Sequence, residues 1–188
     1  MTLGDGKRKV LLLMDEYSSG GTPTPDADID EKMNDFFDLA QKNVARYQRI
    51  VRQYKPVLPA GAAGKTQSMK MPADFGELFR IWRDGKLYGG YQWRGNSILL
   101  PTEDVSLVEI EYFATPKAIP AGAPPSYEFE VSEDAAACLP YFVAAQQLIV
   151  DLVVDYGALL NLYDRMLGAL STKLPGAGGG GIRQSMYR

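Results

Sequence analysis

The sequence predicts an α+β fold, mainly α: a helical bundle with a small inserted antiparallel β-meander. Three observations predict it. Apolar residues recur every three or four positions through Asp28–Tyr54. From Leu78 to Phe113 the chain switches to short β-branched and aromatic runs. Helical spacing then returns over Ala135–Leu160, with about twice the apolar width of an ordinary surface helix. The expected layout is one domain over residues 1–175, with helices near 8–18, 28–54, 134–156 and 158–172 and a β insertion near 75–114. A glycine-rich flexible tail over 176–188 follows.

In the first helix Val10, Leu13, Met14 and Tyr17 share a face, and the linker Ser18–Pro25 breaks it. The second has one unbroken stripe: Ile29, Met33, Phe36, Phe37, Ala40, Val44, Tyr47, Val51 and Tyr54. Acids fill its first half and bases (Lys42, Arg46, Arg49, Arg52, Lys55) its second, an order that complements the helix dipole. At 1.5 Å per residue it would span roughly 40 Å. Pro56 and Pro59 stop it.

The meander is expected from Leu78–Arg83, Tyr91–Arg94, Ser97–Leu100 and Leu107–Phe113, with hairpin turns at Asp84-Gly85 and Gly95-Asn96. Val108, Ile110 and Tyr112 alternate with Leu107, Glu109 and Glu111, so this strand buries one face. A proline-set connector, Thr115–Pro125, leads back to the helices. Ser132 supplies an N-cap there, and Pro140 kinks the next helix unless that helix starts near Leu139.

The apolar run Ala135–Val150 invites a membrane reading, which needs roughly 20 predominantly apolar residues. Gln146 and Gln147 interrupt it, and Asp151 and Asp155 end it. A buried helix is expected, covered on one flank through Leu139, Phe142, Val143, Ile149, Val150, Val153 and Leu160. Its other flank is Tyr141, Ala144, Ala145, Leu148, Leu152 and Leu159, leaving Gln147, Asp151 and Asp155 as a polar strip.

Composition narrows the function classes. The chain has 188 residues, 46% hydrophobic and 23% charged, as a soluble globular protein does. Its net charge of −3 argues against gripping nucleic acid from outside. No histidine is present, which removes the commonest general base and metal ligand; no catalytic, metal or cofactor site is expected. The single cysteine, Cys138, lies in the apolar run and reads as an inert thiol suited to a reducing cytoplasm. No signal peptide is recognised, so synthesis and assembly inside a cell are expected.

Two motifs compete with a purely structural reading. Gly61-Ala62-Ala63-Gly64-Lys65-Thr66 echoes a phosphate-binding loop and would imply a small nucleotide-dependent enzyme, but the required first glycine falls on Pro59 and a helix precedes it. Trp82, Trp93, Tyr88 and Tyr91 would suit a base-stacking platform, making the chain a nucleic-acid-binding module together with the basic half of helix 28–54. The charges around the aromatics are mixed, which favours a hydrophobic core or a protein contact. In the tail, Ile182, Arg183, Met186, Tyr187 and Arg188 follow the glycines and suit docking on a partner.

The order of Asp28–Tyr47, Met71–Trp82, Tyr91–Pro101, Glu109–Ile119 and Cys138–Asp151 resembles the head–tail adaptor (connector or neck) proteins of tailed bacteriophages. The segments carrying it are DIDEKMNDFFDLAQKNVARY, MPADFGELFRIW, the Y-x-W-x-G-N-S-I-L-L-P step, EIEYFATPKAI and CLPYFVAAQQLIVD; together they cover roughly residues 8–170. The resemblance implies a homo-oligomeric ring, a dodecamer, seated under the portal protein of the head. Such a ring extends the DNA channel and docks the next neck or tail protein, in a virion assembled in the host cytoplasm. DNA would pass through without sequence-specific binding, which a mildly acidic chain suits. The subunit interface is then expected at Tyr141, Leu148, Leu152, Val153 and Leu159, since each subunit of a closed ring meets two neighbours.

Overall fold

A short reciprocal hydrogen-bond set starts the chain. The Thr2 hydroxyl accepts from the Asp5 backbone N–H at 3.2 Å, and the Asp5 carboxylate accepts in return from the Thr2 N–H at 3.2 Å and the Thr2 hydroxyl at 2.8 Å. This capping box opens helix α1 (Leu3–Asp15), five residues earlier than expected. The computed structural model describes residues 1–15, 27–56, 66–101, 107–151 and 156–171. They divide into two compact units, one built from Met1–Gln48 and Ala121–Arg188, the other from Arg49–Pro120.

The first unit is helical: α1, α2 (Ala27–Tyr47), the single turn α3 (Glu133–Ala136), α4 (Leu139–Asp151) and α5 (Gly157–Ser171). Pro125 and Tyr127 carbonyls accept from the Gly4 and Leu3 N–H groups at 2.8 Å, satisfying donors that a helix start leaves free. Phe37 of α2 packs on Phe129 with centroids 5.4 Å apart, and a Cβ at Gly6 would come within 2.9 Å of the Phe37 ring. Ser132 caps α3 by accepting from the Ala135 N–H at 3.2 Å. The helix expected over 134–156 is divided near Cys138, which places Pro140 in the first turn of α4, where its missing N–H costs nothing. Among the described residues no helix is long and apolar enough to cross a membrane.

The second unit is two antiparallel sheets on a common core. One sheet has the order β1 (Ile50–Tyr54), β7 (Val108–Ala114), β3 (Phe75–Arg83), β4 (Lys86–Leu87); the other has β2 (Thr66–Lys70), β6 (Ser97–Pro101), β5 (Gln92–Arg94). Met69, Ile98 and Leu100 from one sheet meet Ile81, Val108 and Ile110 from the other in a buried cluster. Both turns are set by left-handed backbone: Asp84 and Gly85 have φ of 49° and 74° between β3 and β4, and Gly95 has 59° between β5 and β6.

These observations correct the expected fold. The described chain is mixed helix and sheet, with seven strands in two sheets, and is not a helical bundle with a small meander. The main error lies at 28–54: α2 stops at Tyr47, and Ile50–Tyr54 pairs with β7 from Ile50↔Ala114 to Tyr54↔Ile110. Tyr47, Val51 and Tyr54 fit a helical stripe, but Ile50, Arg52 and Tyr54 also alternate with Val51 and Gln53. The ladder to β7 decides between the two periods, because strand preference depends on the neighbours a strand finds. The polar β2, whose alternate residues Thr66, Ser68 and Lys70 are exposed, was expected as loop.

Candidate interaction surfaces

In the helical unit, α4 packs against α1, α2 and α5. Leu148 and Leu159 are buried within this fold, and Tyr141 is half-buried with the Lys9 ammonium 5.1 Å from its ring centre. The flank expected to meet a neighbouring subunit is thus covered at Leu148 and Leu159 by the chain itself. Leu152 and Val153 lie outside the described residues, as do Ile182, Arg183, Met186, Tyr187 and Arg188. The expected polar strip is buried at Gln147, whose amide nitrogen has no hydrogen-bond partner among the described residues.

Two side chains of this core bear titratable groups held neutral. Burial pushes the Tyr163 phenol up to about 12, outweighing the opposing hydrogen bond from Asn43 Nδ2 at 3.2 Å. The Cys138 thiol is raised by burial and donates to the Asp134 carbonyl at 3.4 Å, which leaves little nucleophilic thiolate.

The β unit carries two exposed aromatic surfaces. One is the outer face of the four-stranded sheet, where β7 places Glu109, Glu111 and Phe113 opposite its buried residues. Register shifts in β3 insert Gly76 and Phe79 as extra residues, and a bulge of this kind re-aims a side chain. Phe79, 39% exposed, meets Phe113 at 4.9 Å, and guanidinium groups cover both rings: Arg80 lies 4.2 Å from Phe79 and Arg49 lies 4.4 Å from Phe113. Val51 and Leu87 are also exposed. The other surface is an open groove of about 480 Å³ lined by Phe75, Leu78, Tyr91, Trp93, Glu77 and Asn96, with two glycines.

Beside the groove lies a three-residue polar anchor. Tyr112 donates to Asp74 Oδ1 at 3.0 Å, and Arg52 pairs with Asp74 Oδ2. Burial alone would raise the Asp74 pKa. The hydrogen bonds from Tyr112 and Arg52 outweigh it and hold the carboxyl below the usual range.

Of the residues expected in a nucleic-acid module, Tyr91 and Trp93 meet, but Trp82 lies on the other sheet. Trp82, half-buried, pairs across the strands with Leu87, whereas Trp93 is on the other sheet opposite Ile98. Past Tyr47 the basic residues leave the helix, and each meets a carboxylate: Arg49 with Glu77 at 2.7 Å, Arg52 with Asp74, Lys55 with Glu109 at 2.8 Å. Of the phosphate-loop motif, Gly61–Lys65 lies outside the described residues and Thr66 opens a strand instead of the helix such a loop needs. Among the described residues no three acidic or cysteine side chains cluster as a metal site would require.

Sequence reasoning found Tyr91 and Trp93 but missed Phe75, Phe79 and Phe113. Phe75 and Phe79 are four residues apart, which regular alternation would put on one face; the extra residue at Gly76 changes the alternation between them, and Phe79 is itself the second extra residue. Compared with known proteins, the chain matches no family model and none of the curated sequences.

Proposed function

We propose that the chain is a structural subunit of a phage head–tail neck. It forms a homo-oligomeric ring, twelve subunits in the family it resembles, seats beneath the portal protein, lengthens the DNA channel and docks the next neck or tail protein. The observation that carries this reading is that each resembling segment overlaps a regular element. DIDEKMNDFFDLAQKNVARY falls on α2, MPADFGELFRIW leads into β3, YQWRGNSILLP covers the β5–β6 hairpin, EIEYFATPKAI starts in β7 and continues beyond it, and CLPYFVAAQQLIVD covers α4. Exposed aromatic surface on the β unit supports a protein that works by contact, since large apolar side chains held at a surface mark interaction sites.

Sedimentation and negative-stain electron microscopy of the full chain, alone and mixed with the portal protein of the same virus, test it. A ring in either sample is expected. A chain that remains monomeric in both overturns the reading, and a monomer that forms a salt-sensitive complex with DNA transfers it to a nucleic-acid module.

A further inference from the structure

Part of the inward-facing layer of the β unit is left uncovered. Trp93 stands opposite Ile98, so both side chains leave the same face of their sheet. Ile98 is fully buried, yet Trp93 is 45% exposed. Phe75 stands opposite buried Ala114 and Leu78 opposite buried Tyr112, and both are only half-buried. With Tyr91 they line the open groove, where Trp93 lies 5.6 Å from Phe75 and meets Tyr91 edge-on at 6.4 Å. Glu77 stands opposite Phe113, and its carboxylate engages Arg49 at 2.7 Å on the outer face of the four-stranded sheet, away from these rings. No other lining residue carries a formal charge. Three donors of the lining, the Trp93 indole N–H, the Tyr91 hydroxyl and the Asn96 side-chain amide, make no hydrogen bond among the described residues.

We propose that this groove receives an extended, proline-rich segment of a partner protein. Pyrrolidine rings pack on Trp93, Tyr91 and Phe75, and carbonyls of the segment accept from the three unpartnered donors. Proline suits this lining because it brings an apolar ring and an acceptor but no N–H donor of its own. A polyproline II segment is also already extended, with its carbonyls free of internal hydrogen bonds, so it loses little further conformational freedom on docking in an aromatic groove. A purely aliphatic ligand would cover the donors without satisfying them. A charged ligand would find no countercharge facing it. The inference rests on the groove alone and not on the adaptor reading.

The probe is hexaproline, acetylated and amidated so that it is neutral, titrated into the full chain while the indole N–H resonances of both tryptophans are followed. A glycine–alanine hexapeptide with the same blocked ends is the comparison. Hexaproline should shift the Trp93 indole and leave Trp82 still, with weak affinity, on the order of millimolar, that hardly changes with salt because no ion pair forms. Tyr91→Phe should keep the fold and weaken binding roughly threefold to tenfold, the loss of one hydrogen bond. Trp93→Ala, followed through the line widths of the peptide itself, should abolish detectable binding. An unshifted Trp93 at the highest peptide concentration overturns the proposal. So does a glycine–alanine peptide that binds equally well, binding that falls steeply as salt rises, or a Tyr91→Phe chain that binds hexaproline unchanged.

Discussion

Asp74 shows how a single carboxylate can tie a strand lead-in to two strands. It accepts from Tyr112 on β7 and pairs with Arg52 on β1, while its backbone carbonyl accepts from the Thr115 N–H at 2.8 Å. Its pKa is lowered from 3.8 in the folded state, so it contributes stability that is fully present above that value and lost as pH falls through the folded pKa. Both tryptophans lie in the β unit, so intrinsic tryptophan fluorescence follows this unit separately. Asp74→Asn should cost about 1–3 kcal/mol near neutrality and flatten the loss of stability below pH 3.8, read as fluorescence-detected melting against pH. Tyr163 has the opposite sign. Its pKa is raised from 10.0 to about 12, so its contribution is present below 10.0 and disappears as pH rises towards 12. Tyr163→Phe should therefore blunt the alkaline loss of helix between those two values, followed by far-ultraviolet circular dichroism.

At the scale of elements, the legible parts were those whose signal is local. Asp84-Gly85 and Gly95-Asn96 each announced a turn that their backbone angles carry, and the alternation of Val108, Ile110 and Tyr112 announced β7. Gly85→Ala, at φ 74°, should destabilise the β unit by about 1 kcal/mol in fluorescence-detected urea unfolding, because a side chain is costly in the left-handed region. The start of α1 was illegible for a physical reason: Gly4 and Gly6 are poor helix formers, and the Thr2/Asp5 cap lies ahead of the apolar run that signals the helix. The Tyr47/Ile50 break was illegible because its residues satisfy two periods, and the partner that chooses between them, β7, lies some sixty residues downstream. The groove was half legible. Tyr91 and Trp93 stand in a recognisable aromatic run, but Phe75 reaches them only through the packing of one sheet on the other.

For the whole molecule, the organisation is two units, each with its own buried core. In the helical unit that core includes Phe37, Leu139, Val143 and Leu167; in the β unit it is Met69, Ile81, Ile98 and Ile110. Residues 49–120 expressed alone should fold, giving a cooperative fluorescence transition close to that of the full chain. A fragment that stays unfolded would show that the β core depends on the helical residues. The sequence pattern pointed to an insertion between helices but underestimated it, because β1 was read as helix and β2 as loop.

One consequence of the Ile50↔Ala114 pairing concerns mechanics. The β unit begins and ends on neighbouring antiparallel strands, with this pair nearest its ends. Tension between the points where the chain enters and leaves it would load that ladder like a zipper, one pair after another from Ile50↔Ala114 towards Tyr54↔Ile110, and not in shear across all pairs at once. The unit is then compliant along that axis whatever its thermal stability. Five residue pairs opened in sequence would give it extension at low force while the cluster around Ile98 holds the second sheet together.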